Sequence, residues 1–137
     1  MLGKLLVAIP SVVVLRCQEN EAELEMRGVR GMAQLGELGL CIGVRLNVGQ
    51  PRDAWIENTT LLLSASDAVR DFCISCHGAA WMLWRWYASP SQRVSEEFVK
   101  ESEEKVGEQL ALAAYLTRRA SSVRPAPRKS SLGARLA

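Results

Sequence analysis

The residues whose types and spacing could carry chemistry lie near the middle of the chain. Cys73, Cys76 and His77 form a C-x-x-C-H motif, and His77 is the only histidine among the 137 residues. This is the spacing used for covalent attachment of a c-type haem, in which two thiols form thioethers and the adjacent imidazole binds the iron. The motif therefore allows a haem c attached through both cysteines, with the histidine as an axial ligand.

The same residues allow other interpretations. With Cys41 added, Cys73, Cys76 and His77 would complete the four ligands of a zinc site. A C-x-x-C pair also serves in thioredoxin-type redox proteins, but the βαβ context of such proteins is absent from the sequence. The simplest interpretation is that both cysteines are small buried apolar residues on a helix face. On that interpretation we expect no cofactor, no metal and no enzymatic activity.

The motif, with Gly78 after it, resembles class I cytochromes c, and residues 112–116 resemble the end of their last helix. The resemblance implies an electron-transfer protein that is exported to the periplasm, with residues 1–16 as its signal. A second axial methionine would lie far downstream in that family. Here the last methionine is Met82, only five residues after His77.

The elements that must position these residues are predicted to be helices. Pro51 and Asp53 suit a first helical turn, and apolar residues continue at 3.6-residue spacing to the motif, where Gly78 ends the helix. The next segment, residues 79–88, is apolar on nearly all sides, which predicts a buried helix or an interface. Its interface candidates are Trp81, Trp84, Trp86 and Tyr87.

A second long helix is predicted over residues 94–120. Glu96 and Glu97 near its start and Arg118 and Arg119 near its end complement the helix dipole. Six glycines between residues 28 and 49 predict turns and a weak helix over residues 32–41. For the apolar first fifteen residues three interpretations stay open, namely a buried or edge strand, a signal or anchor, and an upstream start of the reading frame.

Composition limits the class of protein. Apolar residues make up 48% and charged residues 23% of the chain, which excludes a wholly disordered chain and a polytopic membrane protein. We predict a mainly α-helical protein with three to five helices, a short N-terminal strand pair and a disordered basic C-terminal tail. The expected divisions are an extension at 1–31, a helical domain at 32–120 and the tail at 121–137, with no transmembrane span.

The net charge of +2 conceals an asymmetry between an acidic helix and a basic tail. Residues 96–108 carry six glutamates and two lysines, whereas the chain from Arg118 onward carries six basic residues and no acid. Such a tail suits an acidic protein surface, and contact with nucleic acid phosphates is also allowed. Its interface candidates are Arg118, Arg119, Arg124 and Arg128.

Several segments resemble the head–tail connector proteins of phages. The resembling residues are 32–38 and 42–46, then 61–73, and later the R-W-Y-A-S-P sequence at 85–90. The resemblance implies a short helix, a Gly-Val turn and a longer helix in that order. It also implies a structural protein without a small-molecule substrate, which forms a ring of identical subunits and contacts other structural proteins. Its expected location is the virion, or the bacterial cytoplasm during assembly.

Overall fold

The computed structural model describes residues 1–69 and 71–123. It contains a six-stranded antiparallel sheet with three α-helices, so the prediction of a mainly α-helical domain is wrong. The strand order is β1-β2-β3-β4-β6-β5. In chain order the elements are α1 (Leu2–Val7), β1 (Val12–Cys17), β2 (Glu21–Met26), β3 (Val29–Gly36), β4 (Gly39–Leu46), α2 (Asp53–Ala65), a 3-10 turn (Asp67–Val69), β5 (Phe72–His77), β6 (Ala80–Ala88) and α3 (Glu96–Val123).

The first 31 residues form α1, the strands β1 and β2 and the start of β3. Leu2, Leu5 and Leu6 of α1 are buried against β1 and β2. In β2 the residues Ala22, Leu24 and Met26 are buried while the glutamates between them face away. This alternation is the two-residue period of a half-buried strand, and it explains why the acidic stretch is solvated on one side only.

The predicted helix at residues 32–41 is wrong, because this segment forms the end of β3, a tight turn and the start of β4. The preceding β2–β3 turn explains part of the glycine density. Arg27 and Gly28 both have positive φ angles, of 48° and 87°, which is the backbone of the type I′ turn favoured in two-residue hairpins. The helix-and-turn order implied by the connector resemblance therefore does not occur here.

The helix predicted from Pro51 is confirmed only in its first half. It begins at Asp53 and ends at Ala65, because Ser66 adopts an extended backbone. The motif residues beyond it form β5, an edge strand that pairs with β6. The tryptophan-rich segment is also a strand, and it lies between β4 and β5. Aromatic side chains favour strands, and this segment pairs with β4 and β5. Residues 79–88 therefore do not form the predicted helix.

The long C-terminal helix is confirmed, with bounds close to those expected. The hydroxyl of Ser95 accepts a 3.1 Å hydrogen bond from the backbone N–H of Phe98 and caps the first turn. The helices cover one face of the sheet, with α3 on β4 and β6, α1 on β1 and β2, and α2 beside β5. We call the opposite face the open face. Of the expected basic tail, residues 124–137 lie outside the described ranges.

Candidate functional site

The β5–β6 hairpin carries the cysteine and histidine residues of the motif. Cys73 is paired with Trp84, Cys76 with Trp81 and His77 with Ala80. Side chains alternate between the two faces of a strand, so Cys73 and His77 lie on the open face and Cys76 lies on the helix side. The structure thus places the three residues on one strand but divides their side chains between two faces.

This arrangement does not fit a haem attached through both cysteines. The α-carbons of Cys73 and Cys76 are about 10 Å apart along an extended strand, and the thiols point to opposite sides of the sheet. A single macrocycle bonded to both thiols also needs the imidazole of His77 beneath it, and this imidazole shares a face with only one thiol. The cofactor candidates Cys73, Cys76 and His77 are therefore not arranged to hold one haem together.

The zinc alternative receives no support from the placement of the thiols. Among the described residues no group of three or more histidine, cysteine, aspartate or glutamate side chains is placed to hold a metal. Burial raises the pKa of the Cys41 thiol, and nearby Cys73 raises it further. Partial burial likewise raises the pKa of the Cys73 thiol. Both thiols therefore lose their protons less readily than an exposed cysteine does.

The predicted aromatic cluster is divided by the sheet into two pairs. Trp81 and Tyr87 face the helices, and the ring of Trp81 meets buried Trp55 edge-on at 6.0 Å between centroids. Trp84 and Trp86 face the opposite side, where Trp86 is 42% exposed. Two of the four interface candidates thus belong to the core, and the other two lie on the open face.

The two open-face indoles are held in fixed positions. Trp84 donates from Nε1 to the hydroxyl of Ser75 at 2.8 Å, and Trp86 donates from Nε1 to the carbonyl of Leu38 at 3.0 Å. The six-membered ring of Trp84 lies over Gly43, where a β-carbon would come within 2.7 Å of it. Gly43 is therefore required for close approach of this ring to the sheet.

Sequence reasoning missed a buried polar cluster beneath β6. The guanidinium of Arg85 is buried and lies 4.5 Å from the centroid of Phe72. It pairs with Asp71 at 3.0 Å and with Glu108 at 2.8 Å. Asp71 directly precedes β5 and Glu108 lies in α3, so Arg85 connects β6 to both elements. The sequence contains one indication of this cluster, because Arg85 is the only charged residue within the apolar segment 79–88.

An apolar patch lies on the outer surface where α2 and α3 meet. Leu61 is 65% exposed, Tyr115 is 40% exposed, and Leu62 and Ala65 lie beside them. We call these four residues the α2–α3 patch. Arg119 borders the same depression and contacts the ring of Tyr115 at 5.8 Å. Arg118 is exposed on the same helix, whereas Arg124 and Arg128 lie outside the described residues, so a role for them stays a prediction.

A second apolar depression lies between α2 and the edge strand β5. It has a volume of about 290 Å³. Its lining residues come from both elements and are Thr60, Leu63, Ser64, Phe72, Cys73 and Ile74. We call it the β5 groove. Because Cys73 on the open face and Ile74 on the helix side both line it, the groove runs along the outer edge of the sheet.

Within the described ranges, none of the helices has both the length and the apolar character needed to cross a bilayer. Compared with protein-family models, with curated proteins and with solved structures, the chain gives no match.

Proposed function

We propose that this protein is a non-enzymatic structural protein that works as an oligomer. The observation that carries the proposal is the α2–α3 patch. Single apolar side chains are common on protein surfaces, whereas contiguous groups bordered by polar residues mark sites of interaction. Leu61, Leu62, Ala65 and Tyr115 form such a group, and Asn58 and Arg119 lie at its border.

A second copy of the chain is a suitable partner for this patch. Leu61, Leu62 and Ala65 are spaced so that they form one stripe of α2, and two such stripes can pack against each other about a two-fold axis. Glu57 is exposed one turn before Leu61, and Arg119 borders the patch. Charges of opposite sign at the border allow identical patches to pair an acid with a base.

The resemblance to phage connectors supports the same class of function but not the same architecture. It implies a ring of identical subunits without catalysis, which agrees with an oligomeric structural role. The short helix and the Gly-Val turn that it implies at residues 32–46 are replaced by parts of β3 and β4, so we propose the role without the connector fold. Contacts with other structural proteins, and a location in the virion or the bacterial cytoplasm, stay predictions of that resemblance.

The experiment is a measurement of mass in solution by light scattering coupled to gel filtration. The full chain should exceed its monomer mass of 15.1 kDa, and its mass should fall on dilution over two orders of magnitude in concentration. Leu61→Glu should lower the mass at a given concentration, because it places a charge in the patch. Leu61 is mostly exposed, so this variant should keep its fold by circular dichroism.

Leu38→Glu provides the matched control. Leu38 is 85% exposed and lies in the β3–β4 turn, away from the α2–α3 patch. The same charge introduced there should leave the mass unchanged. A wild-type chain that is monomeric at every concentration contradicts the proposed function, and equal effects of the two substitutions contradict the role of the patch.

A further inference from the structure

We propose that β5 pairs with β5 of a second copy, antiparallel, so that two six-stranded sheets join into one. The inference rests on the proposed oligomeric function but uses a different surface, the outer edge of β5 and the β5 groove. Among the described strands, β5 has β6 as its one neighbour, so its other edge has no strand partner. An edge of this kind is a template for pairing with another extended chain.

The two edges of the sheet differ in how they are protected. At β1 the register shifts between Val14 and Arg16, and Arg16 pairs with Glu23 at 3.9 Å across the strands. A bulge and a charged side chain are common devices against edge-to-edge pairing. β5 pairs with β6 in continuous register from Phe72 to His77 and contains no proline, lysine or arginine. The free edge of β5 is therefore suited to pairing, and that of β1 is not.

Antiparallel self-pairing is favoured by the groups at the two ends of β5. Asp71 precedes the strand, and its carboxylate is 40% exposed although it pairs with Arg85. His77 ends the strand and is exposed. An antiparallel arrangement brings the Asp71 end of each copy beside the His77 end of the other, which keeps the two Asp71 carboxylates apart. A parallel arrangement would instead place the two Asp71 carboxylates together, which is unfavourable.

The β5 groove supplies apolar contact at the same edge. It extends from Leu63 of α2 to Phe72 and Ile74 on the helix side of β5. In a paired strand, side chains of the second copy that point to the helix side would enter this depression. A two-fold contact of this type is self-complementary, since each copy supplies both the strand and the groove.

The cysteines already present in the chain provide the test. Cys73 lies on β5 and Cys17 lies on β1, at the opposite edge, and both are exposed. Two full-length variants, each with three cysteines changed to serine, leave one of these thiols for a nitroxide spin label. Each labelled protein is checked for wild-type mass, and the distance between labels is measured by pulsed electron spin resonance. In the joined sheet eleven strand spacings of about 4.8 Å separate the two β1 strands, so labels at Cys17 should be roughly 50 Å apart. Labels at Cys73 lie on adjacent strands and should be within about 20 Å.

Label-free hydrogen exchange gives a second measurement on the unmodified protein. Amides of β5 should become protected as the concentration is raised, whereas those of β1 should not. The same protection should persist in Leu61→Glu, which lacks the contact of the α2–α3 patch. A short distance at Cys17, or long distances at both positions in a protein that is oligomeric, overturns the strand pairing. That result leaves the proposed oligomeric function standing, whereas a monomeric wild-type chain removes both.

Discussion

Tyr87 donates a 2.6 Å hydrogen bond from its hydroxyl to Oε1 of Gln109, and both side chains are buried. The amide nitrogen of Gln109 in turn donates to the carbonyls of Ile42 and Leu83, each at 2.9 Å. One side chain of α3 therefore contacts two neighbouring strands of the sheet, β4 and β6. Buried polar groups that are fully hydrogen-bonded fix one packing arrangement, because any displacement leaves an unpaired donor or acceptor. Gln109 thus sets the position of α3 on the sheet.

Replacing Gln109 with leucine should destabilise the protein strongly. The substitution keeps a similar volume but removes one acceptor and two donors, which leaves the Tyr87 hydroxyl buried without its partner. We expect the free energy of unfolding to fall by about 2–4 kcal/mol. Urea denaturation followed by circular dichroism measures the change.

Gln50→Leu is the control, because Gln50 is exposed before α2. This variant should unfold within about 0.5 kcal/mol of the wild type. A Gln109→Leu protein as stable as the control would mean that the network does not hold α3 on the sheet.

The stability of the protein should depend on Tyr87 in alkaline solution. Burial, with smaller contributions from nearby Glu108 and Asp71, raises the pKa of Tyr87 well above its ordinary value, although Arg85 opposes the shift. The folded state keeps the Tyr87 hydroxyl protonated to a higher pH than the unfolded state does. The stabilising contribution of the protonated hydroxyl is therefore fully present below about pH 10, and the free energy of unfolding falls as the pH rises further. Lys105 contributes with the opposite sign, since burial lowers its pKa, but its shift is the smaller one.

The test is a series of urea denaturations from neutral pH to about pH 11. Tyr87→Phe should be less stable than wild type at neutral pH, by about 1–2 kcal/mol, because Gln109 loses its hydrogen bond. The difference should shrink as the pH rises above 10. Tyr115→Phe changes an exposed tyrosine and should retain the alkaline loss seen in wild type. Parallel pH profiles for wild type and Tyr87→Phe would contradict the assignment.

The sequence predicts α3 and the first half of the helix that starts near Pro51, but it predicts neither α1 nor the strands β3 to β6. The α3 prediction succeeds because residues 94–120 combine helical spacing with charges that suit both ends. The N-terminal half of the chain fails for a physical reason. Residues 32–41 carry small and apolar residues whose pattern fits a short helix or a half-buried strand equally, and only pairing with β2, β4 and β6 decides between them.

The arrangement of the candidate site residues depends on the fold in the same way. The C-x-x-C-H motif indicates haem attachment only where both thiols can reach one macrocycle, and β5 divides Cys73 from Cys76. In the tryptophan-rich segment Trp81 and Tyr87 pack against the core, but a helical period cannot show that Trp81 and Trp84 lie on opposite sides of the sheet. The contacts of Arg85 depend on Asp71 and Glu108, which are distant in sequence, so only the folded chain reveals them.

Arg85 should be more sensitive to substitution than any exposed arginine. Arg85→Met removes a buried guanidinium that stacks on Phe72 and pairs with Asp71 and Glu108. Both carboxylates are partly exposed and can be hydrated, so we expect a loss of about 1–3 kcal/mol rather than the larger loss of a fully buried pair. Arg85→Lys keeps the charge but not the planar fork and should fall between wild type and Arg85→Met.

Arg45→Met is the matched control for this series, since Arg45 is exposed on the open face of β4. Its free energy of unfolding should change by less than about 0.5 kcal/mol. If Arg45→Met and Arg85→Met have equal effects in urea denaturation, the cluster around Arg85 does not stabilise the fold.

The approach of Trp84 to Gly43 should make this glycine intolerant of even one methyl group. In Gly43→Ala the new β-carbon would come within 2.7 Å of the indole, so the ring must turn away and give up its hydrogen bond to Ser75. We expect a loss of about 1–2 kcal/mol, with a weaker near-ultraviolet circular dichroism signal from tryptophan. Gly36→Ala is the control, because a β-carbon there meets nothing within 4 Å. An unchanged tryptophan signal in Gly43→Ala would show that the ring does not lie on the sheet.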